Sequence, residues 1–176
     1  RDGDAAAIKE YPRATLLTIF RKVCDAMMFA HSQGILHRDL KPENIMVGEY
    51  GEVLVMDWGL AKVLGEREEQ GSSVSRVNDT GDYGMTMEGE VMGTPQYMSP
   101  EQARGQTLDA RSDIYALGVI MFEAVAGVPP FDGRDTISIL IKHCNEPVPP
   151  IPENDASLQT MPGLESLIRR CLAKQP

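Results

Sequence analysis

The chain has 176 residues, 42% hydrophobic and 24% charged, a globular balance in a length that suits one domain. Its 17 basic side chains against 26 acidic ones leave a net charge of −9, which argues against nucleic acid as a partner, because that partner selects a basic face. No apolar run approaches the roughly 18 residues of a membrane span. The Arg1-Asp2-Gly3-Asp4 start carries no apolar leader, and Cys24, Cys144 and Cys171 form no C-x-x-C pair, so a reducing, cytoplasmic setting is expected. A parent protein anchored in a membrane outside these residues remains compatible with that setting.

Leu16, Ile19, Phe20, Val23, Met27 and Ala30 recur at helical spacing, so residues 15–33 read as a core helix with Gly34 as its C-cap. Residues 35–44 are charged, contain Pro42 and read as a loop. Ile45-Met46-Val47 and Val53-Leu54-Val55-Met56 flank Gly48-Glu49-Tyr50-Gly51, a small β-hairpin pattern. Residues 64–92 hold five glycines and seven acidic residues against two basic ones, a net −5, with little periodicity. A loop of that length inside a compact domain is usually functional or disordered. Residues 113–126 form an apolar helix that stops at Gly127, ahead of Pro129 and Pro130. Residues 135–143 and 163–173 read as shorter amphipathic helices joined through a Pro-rich connector, Pro147 to Pro152. No repeat is visible. The expected fold is mainly α with one small β-hairpin and no alternating βαβ pattern.

Four short motifs fall in order along this frame. His37-Arg38-Asp39-Leu40-Lys41-Pro42-Glu43-Asn44 precedes the hairpin, and Asp57-Trp58-Gly59 stands at the end of its second strand. Gly93-Thr94-Pro95-Gln96-Tyr97-Met98-Ser99-Pro100-Glu101 closes the long loop, and Ser112-Asp113-Ile114-Tyr115-Ala116-Leu117-Gly118-Val119 opens the apolar helix. H-R-D followed by Asn is the pattern of a protein-kinase catalytic loop. Over almost its whole length the chain resembles the C-terminal lobe of eukaryotic-type (Hanks-type) serine/threonine protein kinases. Asp57-Trp58-Gly59-Leu60-Ala61-Lys62 and Tyr97-Met98-Ser99-Pro100-Glu101-Gln102-Ala103 look most like the bacterial members.

The resemblance implies an ATP- and magnesium-dependent enzyme acting on serine and threonine hydroxyls of proteins. Asp39 is expected to accept the substrate hydroxyl proton and Lys41 to offset phosphoryl charge. Asn44 and Asp57 are expected to hold Mg2+ through oxygen, the donor that cation prefers. Met46, with Lys41, Asn44 and Asp57, is expected to contact the nucleotide. Lys41, two residues after Asp39, and Thr94 point to serine/threonine specificity, although Thr94 also reads as an ordinary loop hydroxyl. Glu43 matches a position that meets a substrate arginine in some relatives; a solvated carboxylate is the preferred reading. His37 reads as a core histidine, Asp113 as a cap on the catalytic-loop backbone, and Glu101 as the partner of an arginine beyond Pro176. His31 and His143 read as surface residues. Trp58 departs from the usual Phe.

Residues 57–101 match the activation segment, within which 64–92 is an acidic insertion. Phosphorylation is expected among Ser72, Ser73, Ser75, Thr80 and Thr86, with Arg38 as receiver; a structural ion pair of Arg38 is an equal alternative. Only Gly3 and Gly34 precede His37, so no Gly-rich loop is present, and Ala6-Ala7-Ile8-Lys9 lies too near Asp39 to be the nucleotide-binding lysine strand. Residues 1–176 are therefore expected to be part of a kinase domain, inactive alone and partnered by an N-terminal lobe of the same kinase. The alternatives are a pseudokinase or scaffold lobe, disfavoured by the intact Asp39, Lys41, Asn44 and Asp57, and a small-molecule phosphotransferase, disfavoured by the 93–101 segment.

Overall fold

The computed structural model describes residues 13–63, 93–151 and 163–175. Helix α1 (Arg13–Ser32) buries Val23, Met27 and Ala30, spaced by four and three residues on one stripe. It ends where Gly34 takes φ 72°, a left-handed turn that lets the Gln33 and Gly34 N–H groups reach back to Ala30 and His31 carbonyls. Strand β1 (Ile35–Leu36) follows. Strands β2 (Ile45–Val47) and β3 (Val53–Val55) form the expected hairpin, with Met46 opposite Leu54. Strand β4 (Lys62–Val63) pairs antiparallel with β1. Residues 35–44 are thus not one loop: β1 opens them and a 3₁₀ turn, Pro42–Asn44, closes them.

Helix α2 (Pro100–Ala103) is short and starts on a capping box, in which Ser99 and Gln102 satisfy each other's backbone N–H. Helix α3 (Ala110–Ala126) begins earlier than the apolar pattern because Asp109 caps it, and stops at Gly127 with φ 76°. It is the central post. Tyr115, Val119 and Phe122 pack with Ile151, Ile168 and Leu172, while Ala116, Leu117 and Ile120 pack with Val23, Met27 and Leu40. A Cβ at Gly118 would lie 2.7 Å from the Cys171 Cβ, so α3 can approach helix α5 (Leu164–Cys171) only where it has no side chain. Helix α4 (Thr136–Asn145) starts on a reciprocal cap between Asp135 and Ser138 and packs on α2. Among the described residues no helix is long and apolar enough to cross a membrane.

Of two histidines expected at the surface, His143 lies inside and His31 is partly buried. His31 closes α1 with its Nε2 2.8 Å from an oxygen of Asp113, and His143 on α4 is fully buried between the Phe131 and Tyr115 rings. Both contacts cross long stretches of chain, which local polarity does not report. Burial pushes His143 down to about 4, and the Lys174 ammonium acts in the same sense. The unfolded chain therefore binds a proton near pH 6.5 that the folded chain refuses until about pH 4. Stability is full above about pH 6.5 and is expected to fall by on the order of 3 kcal/mol as pH drops through that window. Urea melts of wild type and His143→Gln across pH 4–7 check this: the variant should lose most of that slope.

Candidate active site

The catalytic-loop motif is held by α3. The Asp113 carboxylate, 2% exposed, accepts the His37 N–H on one oxygen and the Arg38 N–H on the other, each at 2.9 Å. His31 reaches the first of these oxygens from α1. Arg38 sits at φ 72°, a left-handed conformation that costs free energy in a non-glycine residue and persists only where surroundings over-determine it. They do so here: Asp113 takes its N–H, and the Gln102 amide donates to its carbonyl at 2.7 Å. The reversal turns Asp39 toward the segment 93–98. His37 itself is fully buried; its Nε2–H donates to the Met56 carbonyl at 2.9 Å, and its ring lies 4.7 Å from that of Trp58. Trp58 is anchored by its Nε1–H on the Val55 carbonyl.

Two residues converge on the Asp39 carboxylate. Its Oδ1 accepts the Thr94 N–H at 2.8 Å, and its Oδ2 lies 3.0 Å from the Lys41 ammonium. Lys41 also donates to the Thr94 hydroxyl at 2.8 Å, which closes the triangle. The Asp39 and Lys41 side chains are 10% and 22% exposed, so the charges are partly desolvated yet open to solvent on one side. Gly93 is required here: its φ is 109°, and a Cβ would stand 3.0 Å from Met98 and 3.6 Å from Asp39 Oδ1.

Asn44 is buried at the end of the Pro42–Asn44 turn, and its Nδ2 donates to the Asp39 carbonyl at 2.8 Å. That bond fixes which way the amide faces. The Met56 N–H donates to the Asn44 carbonyl at 2.8 Å, so the hairpin returns Asp57 to the neighbourhood of Asn44. Asp57 is exposed, takes φ 57°, and does not use its carboxylate to cap the Trp58–Leu60 turn that follows. Among the described residues no three His, Cys, Asp or Glu side chains converge as a metal cage. An amide and a carboxylate suit Mg2+, which is bound through one or two protein oxygens together with substrate phosphates.

The remaining candidates are more dispersed. Met46 is 46% exposed and lies opposite Leu54, itself 54% exposed, an apolar pair on the open face of the hairpin. Glu43 is exposed in its turn. The Arg38 guanidinium donates to the Leu60 carbonyl at 3.4 Å. Glu101 accepts the Ser112 hydroxyl at 2.7 Å. Ser72, Ser73, Ser75, Thr80 and Thr86 lie outside the described residues. Sequence reading missed the Gln102 clamp, although Ser99 three residues before Gln102 is a capping-box signal, and missed the 2.7 Å bond from the Tyr97 hydroxyl to Glu123.

The family model described as "protein kinase domain" matches residues 5–176. The chain belongs to the protein kinase family. It is 39% identical over 160 residues to "Serine/threonine-protein kinase PknB" of Mycolicibacterium smegmatis, covering 91% of this chain and 23% of that protein. It is 40% identical over 174 residues to "Serine/threonine-protein kinase pkn3" of Myxococcus xanthus, covering 96% and 30%. With PknB of Mycobacterium tuberculosis the figures are 38% over 161 residues, 91% and 23%. The chain therefore spans less than a third of the length of these curated relatives. The kinase-like fold of helices with small antiparallel sheets agrees with this membership.

Proposed function

We propose that this chain is the catalytic-loop and substrate-binding lobe of a serine/threonine protein kinase that transfers the ATP γ-phosphoryl group to protein hydroxyls. The observation that carries the reading is the Asp39–Lys41–Thr94 triangle, in which one carboxylate is oriented by a backbone N–H and a cation. Phosphoryl transfer asks little covalent chemistry of a protein; it asks for positioning and charge compensation.

In this reading the substrate hydroxyl oxygen attacks the γ-phosphorus as the bond to the ADP oxygen breaks, and the hydroxyl proton passes to Asp39. Lys41, held against Thr94, stands beside the transferring group and offsets its charge. Asn44 and Asp57 are the residues that would hold magnesium, which when bound neutralises phosphate charge. Met46 and Leu54 offer an apolar face to a flat base. Asp57→Ala should weaken ATP binding in the presence of magnesium and leave magnesium-free binding unchanged; titrating nucleotide at several magnesium concentrations checks it.

The same reading assigns adenine and phosphate clamping to a partner N-terminal lobe of the same kinase. The purified 176-residue chain should then show no transfer from ATP to a generic basic protein, while the intact kinase does. Detectable transfer by the chain alone would remove the two-lobe assignment. Regulation is proposed to run through phosphates among Ser72, Ser73, Ser75, Thr80 and Thr86. Arg38, whose guanidinium already points to the Trp58–Leu60 turn, is the candidate receiver of such a phosphate.

A further inference from the structure

The C-terminal end of α4 is held by cations from two other parts of the fold. Lys174, which follows α5, donates from Nζ to the His143 carbonyl at 2.8 Å and to the Lys142 carbonyl at 3.5 Å. Arg104, at the end of α2, donates from Nη2 to the Cys144 carbonyl at 2.9 Å. Three consecutive carbonyls of the last turn thus each face a positive charge. The closing carbonyls of a helix have few donors within it and form the negative end of its dipole, where cations are stabilising.

Lys174 is partly buried, and a third acceptor, the Tyr115 hydroxyl at 3.3 Å, completes its set of donors. The Phe131 ring centre lies 4.0 Å from the same nitrogen. An ammonium has donors only, so the Tyr115 oxygen accepts from it, and the phenolic hydrogen goes to His143 Nδ1 at 2.9 Å. Burial pushes Lys174 down to about 8, so it keeps its charge at neutral pH. Taking an ammonium out of water costs free energy that an apolar side chain would not lose. What the cation adds is a tie: it joins α4 to α3 and to the chain after α5.

α4 packs on the Pro95–Tyr97 turn and on α2, where the Cys144 thiol donates to the Pro100 carbonyl at 3.8 Å. Within the turn, the Tyr97 N–H donates to the Thr94 carbonyl at 3.0 Å and the Met98 N–H to the Pro95 carbonyl at 3.4 Å. We propose that Lys174 and Arg104 are positioning residues for protein-substrate binding: by fixing the last turn of α4 they hold the Pro95–Tyr97 turn where a substrate peptide needs it. The inference rests on the reading of 93–101 as the substrate-binding segment. Both clamps are made in the free chain, so the turn is set before substrate arrives. Their bonds go to α3 and α4, not to the catalytic loop, so the effect falls on substrate affinity and leaves the chemistry at Asp39 alone.

The test uses the intact kinase with myelin basic protein as substrate. Lys174→Met, which keeps an unbranched stem and removes the charge, should raise KM for that substrate about 5–10-fold, with kcat and KM for ATP unchanged. Lys174→Arg, which keeps a cation and its donors, should restore most of the affinity. Arg104→Met should raise the same KM about 3-fold and serves if Lys174→Met fails to fold. Hydrogen–deuterium exchange should be faster at the Tyr97 and Met98 amides of Lys174→Met and unchanged at the Asn44 and Met56 amides of the catalytic loop and hairpin. That split separates positioning of the turn from general loosening. An unchanged substrate KM in both charge-removing variants, no rescue by Lys174→Arg, a parallel loss of kcat, or unchanged exchange at the turn would each overturn the proposal. Absence of phosphorylation by wild type would instead overturn the kinase reading, and the exchange measurement would still decide whether the cations hold the turn.

Discussion

Asp39→Asn in the intact kinase is expected to lower kcat about 1000-fold while leaving ATP affinity unchanged, the loss typical of removing a positioned general base. Asparagine keeps the size of the side chain and can still accept the Thr94 N–H, now 2.8 Å from Oδ1. Its amide nitrogen, though, cannot take a proton from an incoming hydroxyl, and turned toward Lys41 it sets donor against donor where a carboxylate oxygen now lies 3.0 Å away. Nucleotide binding is assigned to other residues, so calorimetric ATP titration and steady-state assays should separate the two effects. A variant retaining a tenth or more of wild-type kcat would remove Asp39 from the mechanism.

The second large effect is expected at a residue that contacts no substrate. Asp113→Asn replaces a buried acceptor of three donors, the His37 and Arg38 N–H groups and His31 Nε2, with a group that must point an N–H at one of them. Breaking one side of a buried charge-assisted cluster costs about 3–5 kcal/mol, roughly 10 °C in Tm at this size. Activity should fall further than stability, because the φ 72° backbone of Arg38 that aims Asp39 loses its N–H anchor. Thermal melts and kcat at a temperature where the variant is still folded check both halves. A variant with wild-type kcat below its Tm would show that the clamp serves folding alone.

Much of this was legible in the sequence for a physical reason. Helices such as Arg13–Ser32 and Ala110–Ala126 bury long faces, so their periodicity and the glycines that end them are local signals. The Asp39, Lys41 and Asn44 cluster is also local, since one loop of six residues carries it. Thr94 joins it across 53 residues from Lys41, and only the motif around it, not its spacing, pointed there. What sequence missed is long-range or very short. His31 meets Asp113 across 82 residues and His143 meets Tyr115 across 28, and a lone histidine has no pattern that announces a distant partner. The β1–β4 pairing has two residues per strand, too few for an alternation to register.

The central claim is that this site moves a phosphoryl group to an alcohol side chain, with Asp39 taking the proton. Its most direct test is phosphoamino-acid analysis of a peptide set that differs only in Ser, Thr or Tyr at the acceptor position, labelled from γ-phosphate ATP by the intact kinase and by its Asp39→Asn variant. Wild type should yield phosphoserine and phosphothreonine and no phosphotyrosine, with label reduced about 1000-fold in the variant. Phosphotyrosine from wild type, or equal labelling by the two proteins, would contradict it.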